Sequence, residues 1–189
     1  EHARVISQFG AIVLGTPAAQ ADLYTSVAIA HAASAQFDKA KESLARALRA
    51  NPQFAPALIL QARLKAGEND LDGALKVLDD VLAREASNER AGTLRGELLW
   101  RGKRDEAGAL AALRKVTSSA PAAVAAHVAL IGIHAELGRA AEAKAQFVEL
   151  KKAAPNHPDT LYIEGQIALQ DGNAQAARDI ATRMLKAMP

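Results

Sequence analysis

The chain has 189 residues, with 23 Lys and Arg against 21 Asp and Glu, half of its residues apolar, 4% aromatic and no cysteine. This is the composition of a folded chain, and it excludes a disordered tail, a disulfide framework, a thiolate metal site and a thiol nucleophile. The near-cancellation of charge speaks against nucleic acid, which is held by clustered cations.

Alanine supplies 45 residues, and with few β-branched or aromatic side chains this favours helix almost throughout. In chain order, residues 3–14 read as the second helix of a preceding hairpin, with Ile12, Val13 and Leu14 leaving an apolar end. Ten helices come after it in five pairs: 20–34 with 37–50, 54–67 with 71–84, 88–101 with 104–118, 122–137 with 140–153, and 158–171 with 174–187. Apolar positions recur at three and four, as in Leu71, Leu75, Leu78 and Leu82. The longest uncharged run, Val116 to Ala135, holds Pro121, two histidines and three hydroxyl residues. It does not read as a membrane span. The chain opens at Glu1 without an initiator Met and reads as a piece of a longer array.

The pairs are copies. Pro17, Pro52, Pro121, Pro155 and Pro189 recur at intervals of 35, 69, 34 and 34, and proline marks helix boundaries because it lacks an N–H and clashes with the preceding turn. Between them a turn precedes an alanine: Ala35 to Ala40, Asn69 to Ala74, Gly102 to Ala107, Gly138 to Ala143 and Gly172 to Ala177. Gly and Asn at the first position suit the left-handed conformation that closes a helix. In three units the alanine and the next proline are separated by an interval of 12 (Ala40 to Pro52, Ala143 to Pro155, Ala177 to Pro189). From Ala107 to Pro121 the interval is 14, which makes the third unit irregular. Ala40, Ala74, Ala107, Ala143 and Ala177 are expected at tight crossings within pairs. Leu44, Leu78, Phe147, Leu150 and Leu185 are expected to fill the space between them.

A helical hairpin repeated every ~34 residues with these landmarks resembles the tetratricopeptide repeat (TPR). In the fourth unit Leu130, Gly138, Ala143, Phe147 and Pro155 fall at pattern positions; in the fifth, Leu161, Gly165, Gly172, Ala177 and Pro189 do. The resemblance implies an all-α, right-handed superhelical solenoid. Residues 1–19 would be the end of a preceding repeat, followed by units at 20–53, 54–87, 88–121, 122–157 and 158–189. A single hairpin cannot bury its apolar face, so stacking supplies the core.

The resemblance also implies a groove lined by the first helices, and hence a scaffold that binds a protein or peptide segment. Placed on the pattern, the groove residues are Asp22, Thr25, Ile29, Ile59, Arg63, Glu89, Trp100, Val128, Gly132, Tyr162 and Gln166. Where related modules grip a C-terminal carboxylate with Lys and Asn, this sequence has Thr25, Ile29 and Gly92, so that clamp is missing. The stretch from Leu161 to Gly172, with Ala177-Arg178 and Leu185 to Pro189, is similar to TPR lipoproteins of the bacterial exosortase/PEP-CTERM system. That likeness implies exopolysaccharide export or protein sorting in the periplasm or cell envelope; without it the setting would be cytoplasmic. The alternative is a structural element that self-associates through its ends.

Catalytic chemistry finds no support. His127 and His134 lie seven residues apart, about 10.5 Å along a helix, too far to share one metal. They and His31 read as packing residues with satisfied rings. No glycine-rich phosphate loop occurs. Asp79 and Asp80 diverge by about 100° around a helix and read as a solvated face. Neither an enzyme nor a cofactor or metal site is expected. Trp100-Arg101-Gly102-Lys103-Arg104 is the most unusual cluster, with the only tryptophan in the chain.

Overall fold

The computed structural model describes residues 15–187. The expected helix over 3–14, its apolar end, His2 and Pro189 lie outside the described residues. Ten α-helices form among the described residues: α1 Pro17–Ala33, α2 Phe37–Ala50, α3 Ala55–Gly67, α4 Leu71–Arg84, α5 Glu89–Leu98, α6 Glu106–Ser119, α7 Val124–Glu136, α8 Ala140–Ala153, α9 Pro158–Gln170 and α10 Ala174–Ala187. Consecutive helices pair as hairpins, α1 with α2 through α9 with α10. Contacts divide the chain into two compact units, Glu1–Ala86 and Ser87–Pro189.

In the first unit α3 packs on both α1 and α2. Ala28, Leu44, Ala47, Ala57 and Leu60 are buried together, with Tyr24 and Phe54 against them. Ala40 and Ala74 are fully buried, so no side chain holds the helices of these pairs apart. α1 begins earlier than the spacing predicts. Thr16 accepts a hydrogen bond from the Ala19 N–H at 3.2 Å, and Pro17 takes the first helical turn, where its missing N–H costs nothing. Pro17 therefore opens this helix instead of closing the one before.

In the second unit α5 contacts α7, and α7 contacts α9, so the first helices of three hairpins form one row. The crossing of α5 on α6 is built from glycine. A Cβ on Gly92 would sit 2.4 Å from Val116 Cγ2, and one on Gly96 would sit 2.5 Å from Leu113 Cγ. Leu110, Leu113, Leu130, Leu150, Leu161 and Ile180 are buried along this unit.

The third hairpin corrects the expected register. α5 ends at Leu98 and runs into a π-helical turn, Leu99–Lys103. The left-handed residue that closes the hairpin is Arg104, at φ 55°, not Gly102. Its counterparts are Ala35, Asn69, Gly138 and Gly172, at φ 56°, 69°, 70° and 71°. In chain order the intervals between the five are 34, 35, 34 and 34, so the third unit holds one extra residue. In the other four turns a backbone N–H reaches a carbonyl five residues back: Gln36 to His31, Asp70 to Lys65, Arg139 to His134 and Asn173 to Ala168. Asp105 reaches six back, to Leu99. A π turn is the usual way for a helix to absorb one inserted residue.

Counting from Arg104, the crossing alanine is Ala109. It is fully buried, whereas Ala107 is exposed. The interval from Ala109 to Pro121 is also 12, as the regular units require. Two smaller corrections concern packing. Leu185, expected between units, is 74% exposed, and Ala143 and Ala177 are only half-buried.

Candidate functional site

The row of α5, α7 and α9 frames a cleft of about 320 Å³. α7 supplies an apolar floor of Val128, Ala129 and Ile133, with Ala125 and Gly132 beside it. α5 supplies Glu97, and the π turn supplies Trp100 and Arg101. α7 adds Glu136 at its last turn, and α9 adds Asp159 at its first. The Trp100 indole N–H donates to Glu136 Oε2 at 3.0 Å, which holds the half-buried ring across to the next hairpin. A Cβ placed on Gly132 meets no atom within 4 Å. The absent side chain there leaves open space, in contrast to the filled crossings at Gly92 and Gly96.

Of the eleven predicted groove residues, the structure brings Trp100, Val128 and Gly132 into this cleft. Tyr162 and Gln166 follow Asp159 on α9 at intervals of three and four, which places the three on one helix face. Both are exposed, and the Gln166 amide donates to the Tyr162 hydroxyl at 2.7 Å. Glu89 is exposed at the start of α5 but does not line the cleft. In the first unit Asp22, Ile29 and Arg63 are exposed. Arg63 borders a smaller cavity of about 270 Å³ with Phe37, Lys41 and Glu68. Thr25 and Ile59 are buried, at 2% and 6% exposure, and the Thr25 hydroxyl donates to the Ala21 carbonyl. They belong to the core and offer no groove surface.

The pattern missed Glu97, Glu136 and Asp159. Glu97 was legible: Arg63, Glu97 and Gly132 are spaced by 34 and 35, the same repeat position once the inserted residue is placed after Glu97. Asp159 was legible as well: it lies 13 residues before the closing residue Gly172, as the predicted Asp22 lies 13 before Ala35. Glu136 carries no periodic signal; only the tertiary approach of the helix ends brings it in.

A second, more open cleft of about 480 Å³ lies among α6, α7 and α8, lined by Pro121, His127, Gln146 and Lys152. The histidine and the amide there are engaged in the fold. His127 donates from Nε2 to the Pro121 carbonyl at 3.0 Å and accepts from Gln146 at Nδ1. His31 Nδ1 pairs with Gln36 Oε1 at 2.9 Å. Both are packing histidines, as expected. His134 departs from that expectation: it is buried, and its Nδ1 has no partner. Burial lowers its pKa from 6.5, aided by the Arg114 charge and opposed by Glu142.

Among the described residues, no group of three or more His, Asp or Glu is placed to hold a metal ion. Nor is any helix there long and apolar enough to cross a membrane.

The TPR family pattern matches residues 31–98 and, in two overlapping stretches, 107–158 and 134–189. This chain is a tetratricopeptide repeat protein. Solved TPR-type structures agree with its all-α fold. PilF of Pseudomonas aeruginosa is 19% identical, covering 92% of this chain and 78% of its own, with a TM-score of 0.69. A thermophilic TPR protein of Thermus thermophilus is 20% identical, covering 89% and 92%, with a TM-score of 0.67. YrrB, described as a TPR protein with an unusual peptide-binding site, is 17% identical, covering 100% and 92%, with a TM-score of 0.53. No curated protein sequence matches the chain. TPR repeats are scaffolds suited to protein–protein interaction.

Proposed function

We propose that this TPR chain is a non-catalytic scaffold that holds a peptide or protein segment in the α5–α7–α9 cleft. One observation carries the reading: three successive hairpins bring an accessible tryptophan, an apolar floor and the bare backbone of Gly132 to one open cavity. Aromatic anchors beside small residues suit the side chains of an inserted segment. The exposed face of Tyr162 and Gln166 continues the surface along α9.

The test uses random peptides displayed on phage and selected on the full chain. Trp100 is the only tryptophan, so its emission reports occupancy directly. Selected peptides are expected to shift that emission. Gly132→Phe, whose Cβ would start in open space, is expected to weaken them at least tenfold while far-UV circular dichroism is unchanged. Peptides that bind Gly132→Phe as well as wild type contradict the reading.

The setting we propose, exopolysaccharide export or PEP-CTERM protein sorting, is supported by the sequence likeness of Leu161 to Gly172, Ala177-Arg178 and Leu185 to Pro189. The three solved structures, at 19%, 20% and 17% identity, speak to fold only. A second reading, association through the array's ends, is favoured by Leu169 and Leu185, which are 66% and 74% exposed. Light scattering separates the two: a monomer at all concentrations that still captures peptide excludes end-to-end association.

A further inference from the structure

We propose that the occupant of the cleft is a cationic segment, a lysine or arginine flanked by apolar side chains. This rests on the reading that the cleft holds a peptide and adds that peptide's chemistry. Three first helices each bring one carboxylate to the cavity: Glu97, Glu136 and Asp159. One cation, Arg101, lines it with them. Three negative charges against one leave the site acidic in a chain whose overall charge is +2.

These carboxylates are not consumed by the fold. Glu97 forms no ion pair among the described residues. Glu136 spends one oxygen on the Trp100 indole. Asp159 has only His157 Nδ1 near it, at 3.8 Å. Charges of one sign around a low-dielectric floor focus the potential over it. A neutral or acidic occupant would desolvate the carboxylates without compensation. A basic side chain offsets that cost, with its aliphatic stem along Val128 and Trp100 and its charged head at the rim. This is the reverse of a module that grips a C-terminal carboxylate.

The same phage selection decides it, with Gly132→Phe as counter-selection. Among peptides that depend on the cleft, Lys and Arg are expected to outnumber Asp and Glu severalfold relative to the starting library. For one selected synthetic peptide, Glu97→Gln with Asp159→Asn is expected to weaken binding about tenfold. Replacing the peptide's cation by norleucine should cost the wild type a similar factor and the double variant almost nothing, because the coupling is then already gone. Cleft-dependent peptides that are neutral or acidic overturn the cationic inference and leave the cleft reading standing. Peptides indifferent to Gly132→Phe overturn both. A chain that dimerises in sedimentation, and whose dimer Gly132→Phe abolishes, puts a second copy in the cleft and also overturns the inference.

Discussion

The hairpins α3–α4 and α5–α6 have the same plan and differ by one residue. Each closes on a left-handed residue, Asn69 or Arg104. Each then caps its second helix with an aspartate, Asp70 accepting from the Gly73 N–H and Asp105 from the Gly108 N–H, both at 2.9 Å. The extra residue of α5–α6 falls entirely in the π turn, so the closing residue and the cap are preserved. An inserted residue rotates the side chains after it by about 100° on a helix, and the residue carried there is Trp100. The comparison teaches that the array keeps its packing frame through a local expansion, and that the expansion carries Trp100 to the cleft.

The largest expected effect tests that frame. Ala109→Leu should cost about 1–3 kcal/mol by overpacking a fully buried crossing, as should its counterpart Ala74→Leu. Ala107→Leu, at an exposed site, should stay within about 0.5 kcal/mol. Urea denaturation of the three variants checks this. The reverse order at Ala107 and Ala109 would restore the spacing that the sequence first suggests.

A middle-sized effect concerns the closing residue. Arg104→Gly removes the side chain from a left-handed position and should stabilise by about 0.5–1 kcal/mol. Asn69→Gly should gain less, because Asn tolerates that conformation. Equal or opposite changes in thermal midpoint would show that the two turns are not equivalent.

The smallest effect concerns histidine. His31 has Gln36 as a partner, while His134 has none at Nδ1 and packs near Arg114, Arg139, Glu106 and Glu142. Its pKa is lowered in the folded chain, so the unfolded chain takes up a proton near pH 6.5 that the folded one refuses. The stability this contributes is present above that value and is lost as pH falls toward the lowered pKa. Urea midpoints measured from neutral to mildly acidic pH should fall less in His134→Gln than in wild type. An unchanged slope would remove His134 as the cause.

Most of the fold was legible because the repeat is written in residues with local meaning. Proline, alanine and turn residues located the ten described helices to within a few positions. What escaped was the register of the third hairpin. Gly102 imitates a closing glycine, while the true closing residue is an arginine that its side chain gives no reason to suspect. The cleft itself was half legible: Val128, Gly132 and Asp159 stand at the repeat positions of Thr25, Ile29 and Asp22. Glu136 sits at a helix end, where only three-dimensional packing brings it beside the indole. Thr25 and Ile59 share the repeat position of Val128 and Tyr162 but are buried, a difference that periodicity alone does not encode.

The central claim, that segments bind in the α5–α7–α9 cleft, is tested most directly by amide chemical-shift mapping of the chain with a selected peptide. The account predicts perturbations at Glu97, Trp100, Val128, Gly132 and Asp159, with the Trp100 indole N–H among the largest. Perturbations confined to Thr117, Gln146 and Lys152 at the other cleft would contradict it.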